Sequence, residues 1–264
     1  MPASVRSADG TIIAFDRSGA GPPLVLVGGA LSDRQAAVGL TTLLAPSFTV
    51  FAYDRRGRGD SGDTPPYAVE REIEDLAALI EDAGGAAFVF GHSSGAALAL
   101  KAVAGGLPIP MLALYEPPFI VDDSRTPVPD DYVAHIRELV AAGRRGDAVA
   151  YFMIEGVGVP PEMVEQMRQA PMWPGLEALA HTIAYDGMVM GDQMAGRPLP
   201  PWWSSSSAVP TLVMDGGNSP AWARHAVTAL ADILPRAERR TLEGQDHGAA
   251  PEVLAPVLEA FFTG

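Results

Sequence analysis

The residues best suited to covalent chemistry in this chain are Gly91-His92-Ser93-Ser94-Gly95, a serine held between two glycines where two unlike segments meet. Ahead of it, Ala86-Ala87-Phe88-Val89-Phe90 reads as a short buried strand; behind it, Ala96 to Ala104 reads as a helix of small and apolar residues. A strand that turns straight into a helix brings two backbones close together, and glycine at both flanking positions avoids the clash. Ser93 then stands on a strained apex with its hydroxyl pointing out of the sheet. The first amides of the helix lie beside it, placed to receive a developing oxyanion. That is the position of a nucleophile.

The elements that must hold such a turn are legible as a pattern of runs. Thr11 to Asp16 alternates after a turn at Asp9-Gly10, which predicts an N-terminal antiparallel hairpin. The runs then become continuous: Pro23 to Val27, Phe48 to Tyr53, Ala86 to Phe90, Ile109 to Tyr115 and Thr211 to Met214. Continuous apolar runs suit parallel strands covered on both faces. Between them Val69 to Ala83 has helical periodicity, with Ile73, Leu76, Ala77 and Ile80 on one side. Strands alternating with helices predict an α/β fold with a doubly wound, mostly parallel sheet. The alternation stops after Tyr115. Helix-like pieces follow (132–142, 147–154, 162–170 and 176–188), ending in Pro198 to Trp203 and a linker-like run Ser204 to Ser207. The sheet resumes at Thr211, followed by a helix near 221–234, a strand 237–242 and a last helix 251–262. The expected organisation is a core made of residues 1–119 and 208–264, with a helical cap inserted at 120–207.

Composition limits the partners. A formal charge of −14 over 264 residues disfavours nucleic acid and anionic membranes, both of which would be repelled. No apolar run approaches the roughly 20 residues needed to span a bilayer. The chain has no cysteine, which excludes disulfides, thiolate metal sites and a cysteine nucleophile. The N-terminal residues lack the apolar stretch of a signal peptide, so a cytoplasmic location is expected. The five histidines show no ligand-like spacing and no carboxylate cluster resembles a metal loop, so neither metal nor cofactor is implied.

With the serine placed on its strand, the chain resembles the α/β-hydrolase superfamily along its whole length outside the insertion. Tyr53-Asp54-Arg55-Arg56-Gly57-Arg58-Gly59-Asp60-Ser61-Gly62 is similar to that family's Asp-x-Arg-Gly-x-Gly-x-Ser loop. Val27-Gly28-Gly29-Ala30-Leu31 stands where the family has a His-Gly-x oxyanion turn, with Gly28 in the histidine's place. The resemblance implies that Ala30 and Ser94 supply the oxyanion amides, a role that needs no particular side chain. It also makes His247, in the polar loop Gly244-Gln245-Asp246-His247-Gly248, the general base. Of the other histidines, His92 is expected to point away from the nucleophile.

The acid departs from the family pattern. The usual aspartate of a Gly-x-x-Asp loop falls at Ser219 in Asp215-Gly216-Gly217-Asn218-Ser219-Pro220, and a serine cannot stabilise an imidazolium as a carboxylate does. Glu116, in Leu114-Tyr115-Glu116-Pro117-Pro118, is the favoured substitute. Some haloalkane dehalogenases and fungal zearalenone lactonases resemble this arrangement. Asp215 is the rival, a few residues early on the right strand, and Asp246 lies too near His247 in sequence to face its ring.

A hydroxyl nucleophile with a histidine and a carboxylate implies acyl transfer through an acyl-enzyme. It disfavours the epoxide hydrolases and dehalogenases of the superfamily, which use a carboxylate nucleophile. Trp173, Trp202, Trp203, Tyr151, Phe152, Tyr185 and the methionines Met153, Met172, Met188, Met190 and Met194 are candidates for an apolar pocket. The arginines of the insertion are scattered rather than convergent. The favoured reading is a serine esterase or lactonase acting on a neutral, fairly hydrophobic small molecule. Two alternatives stand beside it: carbon–carbon bond hydrolysis, a lyase or a natural-product tailoring step on the same fold, and a ligand-binding homologue without catalysis.

Overall fold

The apolar runs become strands because alternate side chains enter two different layers. Val25 and Val27 pack on one side of the sheet with Val89, Leu114 and Val213, while Leu24 and Leu26 pack on the other with Phe90, Tyr115 and Met214. Continuous hydrophobicity is thus a period of two read on both faces at once. In the computed structural model, which describes residues 2–201, 203 and 208–264, these strands are β1 (Ala3–Arg6), β2 (Ile12–Ser18), β3 (Pro23–Val27), β4 (Thr49–Tyr53), β5 (Phe88–His92), β6 (Leu112–Tyr115), β7 (Thr211–Gly216) and β8 (Ala237–Leu242). Among the described residues they form one sheet in the order β1-β2-β4-β3-β5-β6-β7-β8. The pairs β1–β2 and β2–β4 are antiparallel and the rest parallel.

Helices cover both faces. On one side α2 (Val69–Asp82), α3 (Ser94–Ala104) and α9 (Ala221–Ile233) bury Leu76, Leu98 and Val227; on the other α1 (Val38–Leu44) and α10 (Pro251–Thr263) bury Leu40 and Leu258. Between β6 and β7 the chain adds α4 (Tyr132–Ala141), α5 (Arg145–Tyr151, running on into a π-helical turn Phe152–Val157), α6 (Pro161–Met167), α7 (Trp173–Ala178) and α8 (Ile183–Met190). All five of these helices share a cluster of their own around Ile136, Val149, Val164, Trp173 and Ile183. The proposed linker residues Ser204–Ser207 and the pocket candidate Trp202 lie outside the described residues.

The functional consequence is in the strand order. The chain builds outward from β3 in one direction through β4 and β2, and in the other through β5, β6, β7 and β8. The loops leaving β3 and β5 therefore part in opposite directions at their carboxyl ends. In open α/β sheets that divergence opens the ligand crevice.

Candidate active site

Ser93 occupies the single residue between β5 and α3, with φ 57° and ψ −127°. The turn is this tight because the helix starts against neighbouring backbone. A β-carbon on Gly95 would lie 2.3 Å from the Val27 carbonyl oxygen, and one on Gly91 would lie 2.6 Å from the Ala96 α-carbon. Among the described residues three non-glycine residues have positive φ: Leu31 (52°), Ser93 (57°) and Glu116 (45°). All three line one cavity. Backbone strain of this kind persists only where the surroundings enforce it, and it concentrates at sites.

Glu116 follows the last residue of β6 and is buried. Its Oε1 accepts a hydrogen bond from the Gly216 amide at 2.8 Å, and its Oε2 lies 2.7 Å from His247 Nδ1. Burial works against the charge on this carboxylate, but the His247 ring, the Ser219 hydroxyl and the Gly216 amide outweigh it and hold the group below the usual glutamate range. Ser219 itself is buried beside Glu116, though its hydroxyl completes no hydrogen bond of standard geometry among the described residues. The residue in the family aspartate's place thus borders the carboxylate that meets the histidine. Because a carboxylate accepts, His247 carries its proton on Nδ1 and leaves Nε2 as the basic nitrogen.

Asp215 is placed elsewhere. Its carboxylate is fully buried and accepts from Arg239 Nη2 and Thr241 Oγ1, both at 3.0 Å, joining β7 to β8. Asp246 turns its side chain to the Gly248 amide at 2.9 Å.

The His247 loop is held by contacts that sequence reading set aside. His92 Nε2 lies 2.9 Å from the His247 carbonyl oxygen, with the two rings 4.8 Å apart. Burial, helped by the His247 ring, pushes His92 down to about 4. The neutral ring must therefore donate from Nε2 to that carbonyl. Tyr115 donates its hydroxyl to the Asp246 carbonyl. His92 thus lines the cavity wall with its ring beside that of His247.

Ala30 and Ser94 border the same cavity, and among the described residues neither backbone amide donates to a protein acceptor. The turn carrying Ala30 presses on the serine: a β-carbon on Gly29 would lie 2.9 Å from Ser93 Cβ. Ser93 and His247 face the cavity together, without a hydrogen bond of standard geometry between them. Such contacts commonly tighten only when substrate binds.

The cavity has a volume of about 710 Å³ and lies between the carboxyl ends of the strands and the inserted helices. Of the candidate pocket residues, Phe152, Met153, Met190 and Met194 line it. Trp173 and Trp203 are instead buried in packing clusters, Tyr185 stacks on Tyr67, and Met172 is exposed. Large size and apolarity do not tell wall from core, since both bury the same surface. Trp222, at the start of α9, lines the cavity and carries the Arg125 guanidinium 4.6 Å from its ring centre. It escaped sequence reading because it lies outside the insertion. The arginines at the wall are Arg34 and Arg55, and both are engaged by carboxylates.

A family model for the alpha/beta hydrolase family matches residues 24–257, and the chain belongs to that family. It is similar at 64% identity to an alpha/beta hydrolase from Sphaerobacter thermophilus, with a TM-score of 0.93 over 99% of this chain and 100% of that one. A thermophilic esterase from Thermogutta terrifontis shares the fold at 23% identity and a TM-score of 0.74, covering 99% and 98% of the two chains. So does an enol-lactonase from Burkholderia xenovorans at 19% and 0.74, covering 99% and 100%.

Proposed function

We propose that this hydrolase cleaves a neutral, fairly hydrophobic carboxylic ester or lactone through an acyl-enzyme on Ser93. The observation that carries the reading is the 2.7 Å contact of Glu116 with His247 Nδ1, which leaves Nε2 basic beside the cavity that Ser93 enters. Ser93 Oγ attacks the carbonyl carbon as His247 Nε2 takes its proton. Glu116 stabilises the resulting imidazolium and keeps the ring oriented. The amides of Ala30 and Ser94 hold the tetrahedral oxyanion. His247 then returns the proton to the leaving alkoxide, and a water activated by the same nitrogen releases the acid.

The substrate class rests on the cavity wall. Phe152, Met153, Met190, Met194 and Trp222 offer apolar surface, while the arginines present are already paired. A formal charge of −14 also favours a small neutral partner over polyanions. The esterase and lactonase among the structural relatives are in keeping with this.

The test is a panel of p-nitrophenyl esters, lactones and vinylogous diketones, run on wild type and Ser93→Ala, with labelling by a fluorophosphonate. Ester or lactone turnover and labelling should both disappear in Ser93→Ala, which deletes one hydroxyl and no core volume. Turnover that survives the substitution, or a preference for the diketones, would overturn the assignment.

A further inference from the structure

A group of buried ions joins the inserted helices to the candidate oxyanion turn. Asp186 on α8 accepts from Arg55 Nη1 at 2.7 Å, Arg58 Nη2 at 2.8 Å and the Ser94 hydroxyl at 2.7 Å. Arg55 is also gripped by Glu72 of α2, through Nε at 2.6 Å and Nη2 at 2.7 Å. All five side chains are buried. The arginines do more than neutralise carboxylates: Arg58 Nη1 donates to the Gly29 carbonyl, and Arg55 Nη1 donates to the Gly28 carbonyl at 3.3 Å. Ser32 Oγ adds a second bond to the Gly29 carbonyl at 2.8 Å.

These contacts set a peptide plane. The bond between Gly29 and Ala30 is trans, so its C=O and N–H point in opposite directions. Donors that hold the Gly29 oxygen on one side turn the Ala30 N–H to the other, toward the cavity. The next residue, Leu31, has φ 52°, so the turn is one that needs outside support. Asp186 orients Arg58 and also fixes the side chain of Ser94, whose backbone amide is the second one bordering the cavity. One carboxylate from the insertion thus bears on both amides.

We propose that Asp186 is a positioning residue for the oxyanion amides, acting through Arg58 and Ser94, so that the hole is assembled only when α8 is seated on the core. The inference rests on the serine-hydrolase reading above. It makes a distinctive demand: loss of Asp186 should weaken the enzyme's hold on the tetrahedral state and leave its hold on the intact substrate alone.

The experiment compares Asp186→Asn with wild type in three measurements. The kcat for a p-nitrophenyl ester should fall about 10- to 100-fold, part of what the loss of a whole oxyanion donor costs. The affinity for an arylboronic acid, which forms a tetrahedral adduct on the serine, should fall by a similar factor. Binding of the intact ester, measured in the Ser93→Ala background with and without Asp186→Asn, should change less than about twofold. A fall in melting temperature is expected under either role, since a buried charge is removed; a purely structural role would in addition weaken intact-ester binding along with kcat. A folded Asp186→Asn enzyme that keeps its kcat and boronate affinity overturns the proposal, as does a loss of intact-ester binding equal to the loss of kcat. If Asp186→Asn does not fold, Arg58→Lys decides by the same three readouts. A wild-type protein that takes no fluorophosphonate overturns the hydrolase reading and this inference together; a labelled wild type with an unaffected variant overturns this inference alone.

Discussion

Glu116 stands against His247 where the loop after β7 carries Ser219 and no carboxylate. With serine at 219, the loop after β7 brings no carboxylate to the histidine, and the space it leaves is reached by a longer side chain from the neighbouring strand end. Glutamate has the reach, and the positive φ of Glu116 aims it across β7 to the Gly216 amide and His247. Glu116→Gln should therefore lower kcat for ester cleavage by a factor of roughly 10² to 10⁴ with KM little changed, because an amide cannot stabilise the imidazolium or enforce its tautomer. Asp215→Asn, which disturbs only contacts to Arg239 and Thr241, should leave kcat within a few-fold. Steady-state kinetics on one chromogenic ester compare the two, and the reverse ranking would assign the acid to Asp215. The absence of a carboxylate at 219 was legible in the sequence, and so was Glu116 at a strand end. The contact of Glu116 with the Gly216 amide and the role of His92 beside the His247 loop were not, because both depend on which strands become neighbours.

At the scale of elements, the strands were legible because a parallel strand covered on both sides leaves an uninterrupted apolar run. The helix between β3 and β4 was not: Val38-Gly39-Leu40-Thr41-Thr42-Leu43-Leu44 mixes glycine with β-branched residues and leaves Val38 and Leu43 exposed, so its periodicity is faint. The helices of the insertion were recognised with blurred ends, and the stretch read as one helix over 176–188 divides into α7, a 3₁₀ turn at Ala180–Thr182 and α8. That division places Asp186 where it meets Arg55 and Arg58, more than 120 residues away in sequence. The junction of β5 with α3 gives a direct test of how closely these elements are fitted. In Gly95→Ala the new carbon would stand 2.3 Å from the Val27 oxygen and 2.5 Å from the Gly28 oxygen, both backbone atoms that cannot swing aside. α3 must then retreat and carry Ser93 and the Ser94 amide with it. Overpacking of this kind costs about 1–3 kcal/mol, or about 2–12 °C of melting temperature for a chain of this size, and fluorophosphonate labelling should slow with it. An alanine variant with unchanged melting temperature and labelling rate would show that the junction has slack.

Across the whole molecule, the insertion and the sheet are bound by two kinds of interaction with different consequences. Val189, Met190 and Met194 belong to the same apolar cluster as Leu98 and Phe119, a contact that tolerates small slides. The Glu72–Arg55–Asp186–Arg58 group does not, since each ion is buried and depends on its neighbours for charge balance. Burial disfavours charge on Asp186, yet Arg58 and Arg55 outweigh it and hold the carboxyl below its ordinary range; Glu72 is lowered in the same way, chiefly by Arg55. Removing one partner from such a group is costly because it strands the others in a dry interior. Glu72→Gln leaves Arg55 with Asp186 as its remaining carboxylate, which Arg58 also shares. A destabilisation of about 3 kcal/mol is expected, equivalent to a fall in melting temperature of about 6–12 °C. Since Arg55 touches α2, α8 and the Gly28 carbonyl at once, the loss should be felt by both layers together: calorimetry should show one transition moved down intact. A scan that splits into two transitions, with the sheet melting at its wild-type temperature, would mean that the ion group fastens the insertion without sharing its stability with the core.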